Sequence, residues 1–188
     1  MIYTIIAEGR SGGQTLTEWF KLSLNDFYVV HEPFNKDYNE YTTNTDKTDF
    51  TWIDKNKKYV IKELYSEDIT PLLKRSDKVI CLYREDWKEQ VKSLLYALKT
   101  NRWHTKYTED NVKKVVTEEE IISFYEKSHK TEKEKFQTFI KDNNLKSISY
   151  EQLYYGNGIV EVKKHFNITS NINFPIGQRY YTKENPLI

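Results

Sequence analysis

Apolar positions fall in short runs separated by longer segments of helical spacing. Ile2 to Ala7 is largely apolar and reads as a first strand buried on both faces. It leads directly into Glu8-Gly-Arg-Ser-Gly-Gly13 and then a helical stretch, Thr15 to Leu24. Phe27 to His31, Lys58 to Lys62, Lys78 to Tyr83 and Ser147 to Tyr150 read as four further strands. Ser66 to Arg75 reads as a short helix with Ser66 as its N-cap. From Asp86 to Lys99, Trp87, Val91, Leu94, Leu95 and Leu98 recur at spacings of three and four, which predicts an amphipathic helix. Thr117-Glu-Glu-Glu120 matches a capping box, and a long helix is expected from there to Asn143. Its core stripe would be Ile121, Ile122, Tyr125, Phe136, Phe139 and Ile140. Gly158 to Phe166 predicts a last helix, while Asn35 to Thr51, Asn101 to Val116 and Asn167 to Ile188 read as irregular.

Strands alternating with helices predict an α/β three-layer sandwich with a mainly parallel sheet of about five strands. The length of 188 residues, with no Pro/Gly-rich linker, predicts one domain spanning 1–188. In such sheets ligands sit at the carboxyl ends of the strands, so residues just after strands are the ones to read for chemistry.

Composition narrows the classes. Lys+Arg is 29 and Asp+Glu 28, a net charge of +1, so no bulk electrostatic grip on nucleic acid or an anionic membrane is expected. No apolar run is long enough for a membrane span, and Met1 to Gly9 lacks the basic start of a signal peptide. With one cysteine, Cys81, the expectation is a soluble, cytoplasmic protein without an internal disulfide or a Cys-rich zinc site.

Three places can carry chemistry. The first is the glycine-rich turn after the first strand. Its backbone N–H groups and the helix N-terminus behind it favour an anion, and Arg10 adds a full charge on a phosphate-shaped fork. Ser11, Gln14 and Thr15 add side-chain hydrogen bonds around Gly12 and Gly13. The turn lacks the Gly-Lys-Ser/Thr of a Walker A loop, which disfavours ATP or GTP hydrolysis. The alternative is a tight turn that binds nothing. The second place is Arg84 at the end of the fourth strand, with Ser93 nine residues later on the following helix. Together they can hold a second anionic group, or they can be an Arg paired with a surface carboxylate and a structural Ser. The third is His31-Glu32-Pro33 after the second strand. Glu32 is placed as a general base, or it is a solvated carboxylate, and His31 is either a base or a core residue. Lys62, at the end of the third strand, is a further candidate for touching an anionic leaving group, or a surface lysine, the reading preferred here.

These sites, in this order, resemble the sulfotransferases that use 3′-phosphoadenosine 5′-phosphosulfate (PAPS). The first family signature, a Gly/Pro-(Lys/Arg)-Ser-Gly-Thr-Thr loop between strand and helix, stands here as Gly9-Arg10-Ser11-Gly12-Gly13-Gln14. Glu32-Pro33 resembles the Glu-Pro of carbohydrate-type and bacterial members. Leu82-Tyr83-Arg84 with Ser93 resembles the second signature, and Ser93 to His104 is similar to a run in bacterial trehalose-type members. Tyr150-Glu151-Gln152-Leu153 resembles the Tyr-Glu-x-Leu after the last strand. Gly13 and Gln14 depart from the pattern by replacing two hydroxyl residues.

The resemblance implies a phosphate-binding fold that needs no metal. Arg10 and the amides from Gly12 to Thr15 would hold the 5′-phosphosulfate, and Arg84 with Ser93 the 3′-phosphate. Glu32 would take the proton of an acceptor hydroxyl, Arg10 would stabilise the leaving oxygen, and 3′-phosphoadenosine 5′-phosphate (PAP) would be the product. The acceptor is expected to be a small molecule or carbohydrate, with Tyr38, Tyr41, Trp52, Trp103 and Tyr107 as residues able to stack on a sugar ring. All five are equally readable as covering the core, the assignment preferred for Trp103. The rival readings are a non-catalytic nucleotide-binding module on the same fold and a nucleotide kinase.

Overall fold

The computed structural model describes residues 1–35, 46–103 and 109–175. Strands β1 (Ile2–Ala7), β2 (Phe27–His31), β3 (Lys58–Leu64), β4 (Lys78–Tyr83) and β5 (Lys146–Ser149) form one sheet in the order β2-β3-β1-β4-β5. Every neighbouring pair is parallel, with Ile5 opposite Lys62 on one side of β1 and opposite Ile80 on the other. The chain leaves β1 toward β2 on one side, and later returns to β4 on the other. The carboxyl end of β1 is therefore where the strand order reverses, the place at which open α/β sheets bind ligands.

Strand alternation divides the core. Tyr3, Ile5 and Ala7 of β1, with Ile80 and Leu82 of β4, pack against α1 (Gly13–Ser23), α7 (Tyr150–Tyr155) and α8 (Gly158–Phe166). Leu16, Trp19 and Phe20 of α1, and Val162 and Phe166 of α8, complete that layer. Ile6 and Cys81 point the other way, onto α2 (Thr70–Arg75) and α6 (Lys130–Asp142) through Leu72, Phe136 and Ile140. A third cluster joins α3 (Trp87–Thr100), α4 (Glu109–Lys113) and α5 (Glu118–Phe124) through Val91, Leu95, Val112 and Ile121. Helices on both faces of a parallel sheet are the expected α/β sandwich.

The predicted long helix forms and starts on its capping box, with Thr117 and Glu120 bonded reciprocally. A π-helical turn, Tyr125–His129, interrupts it. The extra residue in that turn rotates the apolar stripe. Ile121 thereby faces the third cluster, while Phe136 and Ile140 face the sheet. Ile122, expected in the stripe, is exposed, as is Leu98 on α3.

Several boundaries differ from expectation: β3 runs on to Leu64, α1 starts at Gly13, and α4 forms within the segment 101–116 read as irregular. The segment 66–69 forms a turn, with the Ile69 N–H on the Ser66 carbonyl, and α2 begins at Thr70 with Pro71 in its first turn. Ile69, not Ser66, is the residue before the helix. Tyr150 opens α7 rather than closing β5, because Ser149 and Gln152 make a second capping box. Among the described residues, no helix is long and apolar enough to cross a membrane.

Candidate active site

The turn after β1 enters α1 through Gly12, which lies in the left-handed region at φ 81°. A side chain there would meet the rings of Tyr154 at 2.7 Å and Tyr150 at 2.9 Å, so only glycine fits. Tyr154 closes the turn by donating from its hydroxyl to the Gly12 carbonyl (3.2 Å), and burial pushes its phenol pKa up. Buried Ser11 donates to the Glu8 carbonyl at 2.6 Å. No side chain caps the N-terminus of α1, and no acidic residue lies in its first turn. That leaves a positive helix end beside the turn.

Five non-glycine residues among those described have positive φ. Three are asparagines, which tolerate it; the other two are Arg10 (63°) and Glu32 (47°). Each strained residue costs about 1–3 kcal/mol, and such residues cluster at functional sites.

Arg10 reaches across to α3. Its Nε donates to Ser93 Oγ at 2.9 Å and a terminal nitrogen donates to the Trp103 carbonyl at 2.5 Å. Ser93, buried on α3, thus meets Arg10 directly. Trp103 is exposed and contributes its carbonyl to this contact, which corrects its assignment to the core. Trp52 packs at the edge of the α2-side core. Tyr38, Tyr41, His104 and Tyr107 lie outside the described residues.

Arg84 follows β4 in phase with Leu82, so its side chain turns to the α7 face. Its guanidinium stacks 4.5 Å from the centre of the Tyr150 ring, the same ring that abuts Gly12. Its Nε lies 3.7 Å from Glu151 Oε1 and makes no hydrogen bond among the described residues. The two arginine-bearing turns therefore share one aromatic wall. Glu151 also accepts from the N–H groups of Glu85 (2.9 Å) and Asp86 (3.3 Å), tying α7 to the start of α3.

Glu32 is buried and ion-paired through Oε1 with Lys62 on the neighbouring strand. Asn35 donates to its other oxygen at 2.8 Å, and His31 Nε2 stands 3.4 Å from Oε1. Burial alone would raise its pKa. The Lys62 charge and hydrogen bond, helped by Asn35 and His31, outweigh it and hold the carboxyl below its usual range. Lys62 is buried, not the surface lysine its sequence context implies. Its stem runs beneath α1, where a methyl group on Gly13 would lie 3.0 Å from Lys62 Cε. Glu63, next along β3, faces the opposite layer. Its Oε1 accepts from Leu64 N–H at 3.0 Å, and burial raises its pKa.

The sequence places Arg10, Ser11, Gly12, Gly13, Gln14, Thr15, Glu32 and Arg84 just after strands and Ser93 on the following helix. In the structure Arg10 to Gly12 form the turn after β1, Gly13 to Thr15 open α1, Glu32 and Arg84 follow β2 and β4, and Ser93 lies on α3. Sequence reasoning names Tyr150 in the Tyr-Glu-x-Leu run without a role, and it misses Tyr154. The Ser149-x-x-Gln152 capping pattern carries the signal for them: it starts a helix that puts the two tyrosines one turn apart on one face, stacked at 4.3 Å.

No family model matches the chain. No curated protein matches it either. Among solved structures, the fold is that of a sulfotransferase-like α/β protein, with a five-stranded parallel sheet flanked by helices. One match is to the crystal structure of mouse sulfotransferase SULT7A1 complexed with PAP, at a TM-score of 0.52 and 12% identity. It covers 91% of this chain and 60% of the mouse chain, so the protein spans little more than half the length of that neighbour.

Proposed function

We propose that this chain is a PAPS-dependent sulfotransferase that transfers a sulfuryl group to a hydroxyl acceptor of the carbohydrate class, with residues 1–188 read as one such domain. The observation that carries the reading is the position of Lys62. One side chain pairs with the candidate base Glu32 and packs beneath the candidate anion turn at Gly13. The sulfotransferase-like fold, found in a protein crystallised with PAP, supports it. The donor set suits a ligand with two anionic groups: a helix N-terminus without a side-chain cap and Arg10 on one turn, and Arg84, whose Nε makes no hydrogen bond among the described residues, on the next.

Bound PAPS supplies the sulfuryl group and a phosphate leaving group for in-line displacement by a hydroxyl oxygen. Arg10 and the N–H groups from Gly12 to Thr15 hold the phosphosulfate end, with Ser11, Gln14 and Thr15 around it. Arg84 and Ser93 hold the 3′-phosphate. Glu32, ionised at neutral pH, takes the acceptor hydroxyl proton onto its carboxylate. Lys62 and Asn35 keep that carboxylate oriented and charged in a buried setting. Arg10 stabilises negative charge as it collects on the leaving phosphate.

Thermal unfolding with PAP or with ATP and Mg²⁺, followed by transfer of labelled sulfate from PAPS to a panel of sugars, tests the reading. Stabilisation by PAP and label in a sugar product are expected. Stabilisation by PAP without transfer to any acceptor would make the chain a binding module. Stabilisation by ATP–Mg²⁺ alone would make it a kinase-like protein and overturn the proposal.

A further inference from the structure

The carboxyl end of β1 carries a second buried network that the proposed chemistry does not use. Its centre is Glu8, the first residue of the glycine-rich turn. Glu8 follows β1 in phase with Ile6, so its side chain turns to the α6 layer, away from the Arg84 guanidinium and the Tyr150 ring. There its Oε2 accepts from three elements: the Arg84 N–H at 3.1 Å, Gln90 Nε2 on α3 at 3.1 Å, and Lys133 Nζ on α6 at 3.3 Å.

Two of these donors bridge. Gln90 Nε2 also donates to the Gly9 carbonyl at 2.8 Å, gripping the turn of Arg10 by its backbone. Lys133 Nζ also donates to the Arg84 carbonyl, gripping the other turn by its backbone. The strand ends are joined directly as well, by Glu8 N–H on the Leu82 carbonyl at 2.9 Å. Glu8, Gln90 and Arg84 are buried, and Gln90 is fully enclosed. Lys133 shares the face of α6 that carries Phe136 and Ile140 onto the sheet. The π-helical turn just before it sets that face toward the strand ends rather than toward the third cluster.

We propose that Glu8, Gln90 and Lys133 are positioning residues that hold the turn of Arg10 and the turn of Arg84 at one fixed separation, and so select a ligand whose two anionic groups have the spacing of PAP. This deepens the proposed function and rests on it. The three side chains act through the backbone of the two turns. A ligand bridging both turns feels their relative placement. A ligand held by one turn does not. Misplacing a bound group by about 1 Å can cost on the order of 10²-fold, whereas each turn alone keeps its own donors.

The experiment compares PAP, with phosphates at both ends of the ribose, with AMP, which has only the 5′-phosphate. Both are titrated calorimetrically into the wild-type chain and into Lys133→Met. Gln90→Met, an apolar side chain of similar length, serves as an independent second variant, and Lys133→Arg as the conservative rescue. In wild type, PAP is expected to bind more tightly than AMP. In Lys133→Met, PAP affinity is expected to fall by about 10- to 100-fold with AMP affinity nearly constant. Lys133→Arg should recover most of the loss. Equal losses for PAP and AMP in a variant that unfolds cooperatively would show a general loosening and overturn the inference, as would unchanged PAP affinity in both variants. If wild-type protein binds PAP no better than AMP, the functional reading itself fails, an outcome separate from any variant.

Discussion

Lys62 joins the candidate base to the candidate anion turn. Its Nζ pairs with Glu32 Oε1, and its stem fills the space beneath Gly13. A buried carboxylate without such a partner is driven toward its neutral form, which cannot accept a proton at pH 7. The pair thus keeps the buried Glu32 carboxyl ionised.

The pH dependence follows from that pair. The folded-state pKa of Glu32 lies below its unfolded value of about 4.3, so the stability it contributes is present above that pH and lost as pH falls through the folded pKa. In Lys62→Met the burial contribution is left to dominate, and the Glu32 pKa rises. The acid limb of kcat/KM should therefore move to higher pH, and unfolding free energy at pH 7 should fall by about 3–5 kcal/mol. Glu32→Gln should lower turnover by about 10²- to 10⁴-fold with PAP affinity retained. Wild-type turnover in Glu32→Gln would remove Glu32 from the base role.

Gly12→Ala is expected to disable the turn. Its methyl group would lie 2.7 Å from a Tyr154 ring carbon, at a φ of 81°. The left-handed conformation costs an alanine about 1–2 kcal/mol, and overpacking against two stacked tyrosines adds about 1–3 kcal/mol. Thermal unfolding should show a fall of several degrees, and PAP binding should weaken with it. A melting temperature equal to wild type would mean that the turn relaxes freely.

Arg84→Ala separates the side chain from the backbone at one position. The Arg84 N–H and carbonyl that meet Glu8 and Lys133 survive, while the guanidinium on Tyr150 is lost. PAP affinity should drop by about 10- to 100-fold, the equivalent of a charge-assisted hydrogen bond. Arg84→Lys should not restore it, since an ammonium neither forks nor stacks in the same way. Equal PAP affinity in wild type and Arg84→Ala by calorimetry would contradict its assignment.

The central strands were legible because each is a short apolar run buried on both faces, which leaves few alternatives, as in Ile2 to Ala7 and Lys78 to Tyr83. The glycine turn was legible because its role is local: a strand, a left-handed glycine and a helix start are consecutive in the chain. The Thr117 cap was legible for the same reason. The π-helical turn was not, since nothing in 125–129 demands it; it answers the need to face two different cores with one helix.

What the sequence determined by itself is the five strands, the longer helices and the chemical types at strand ends, because periodicity, glycine and caps act over a few residues; the short helices α4 and α7 were not legible in it. Only the tertiary structure decided the partners. Lys62 is buried on Glu32 because β2 lies beside β3. Ser93 meets Arg10 because α3 packs across the turn. Glu8 meets Lys133, 125 residues away, because α6 crosses the strand ends. Such pairings depend on which strands adjoin and which helix covers them, and strand order is set by the packing of the whole core rather than by any local run of residues.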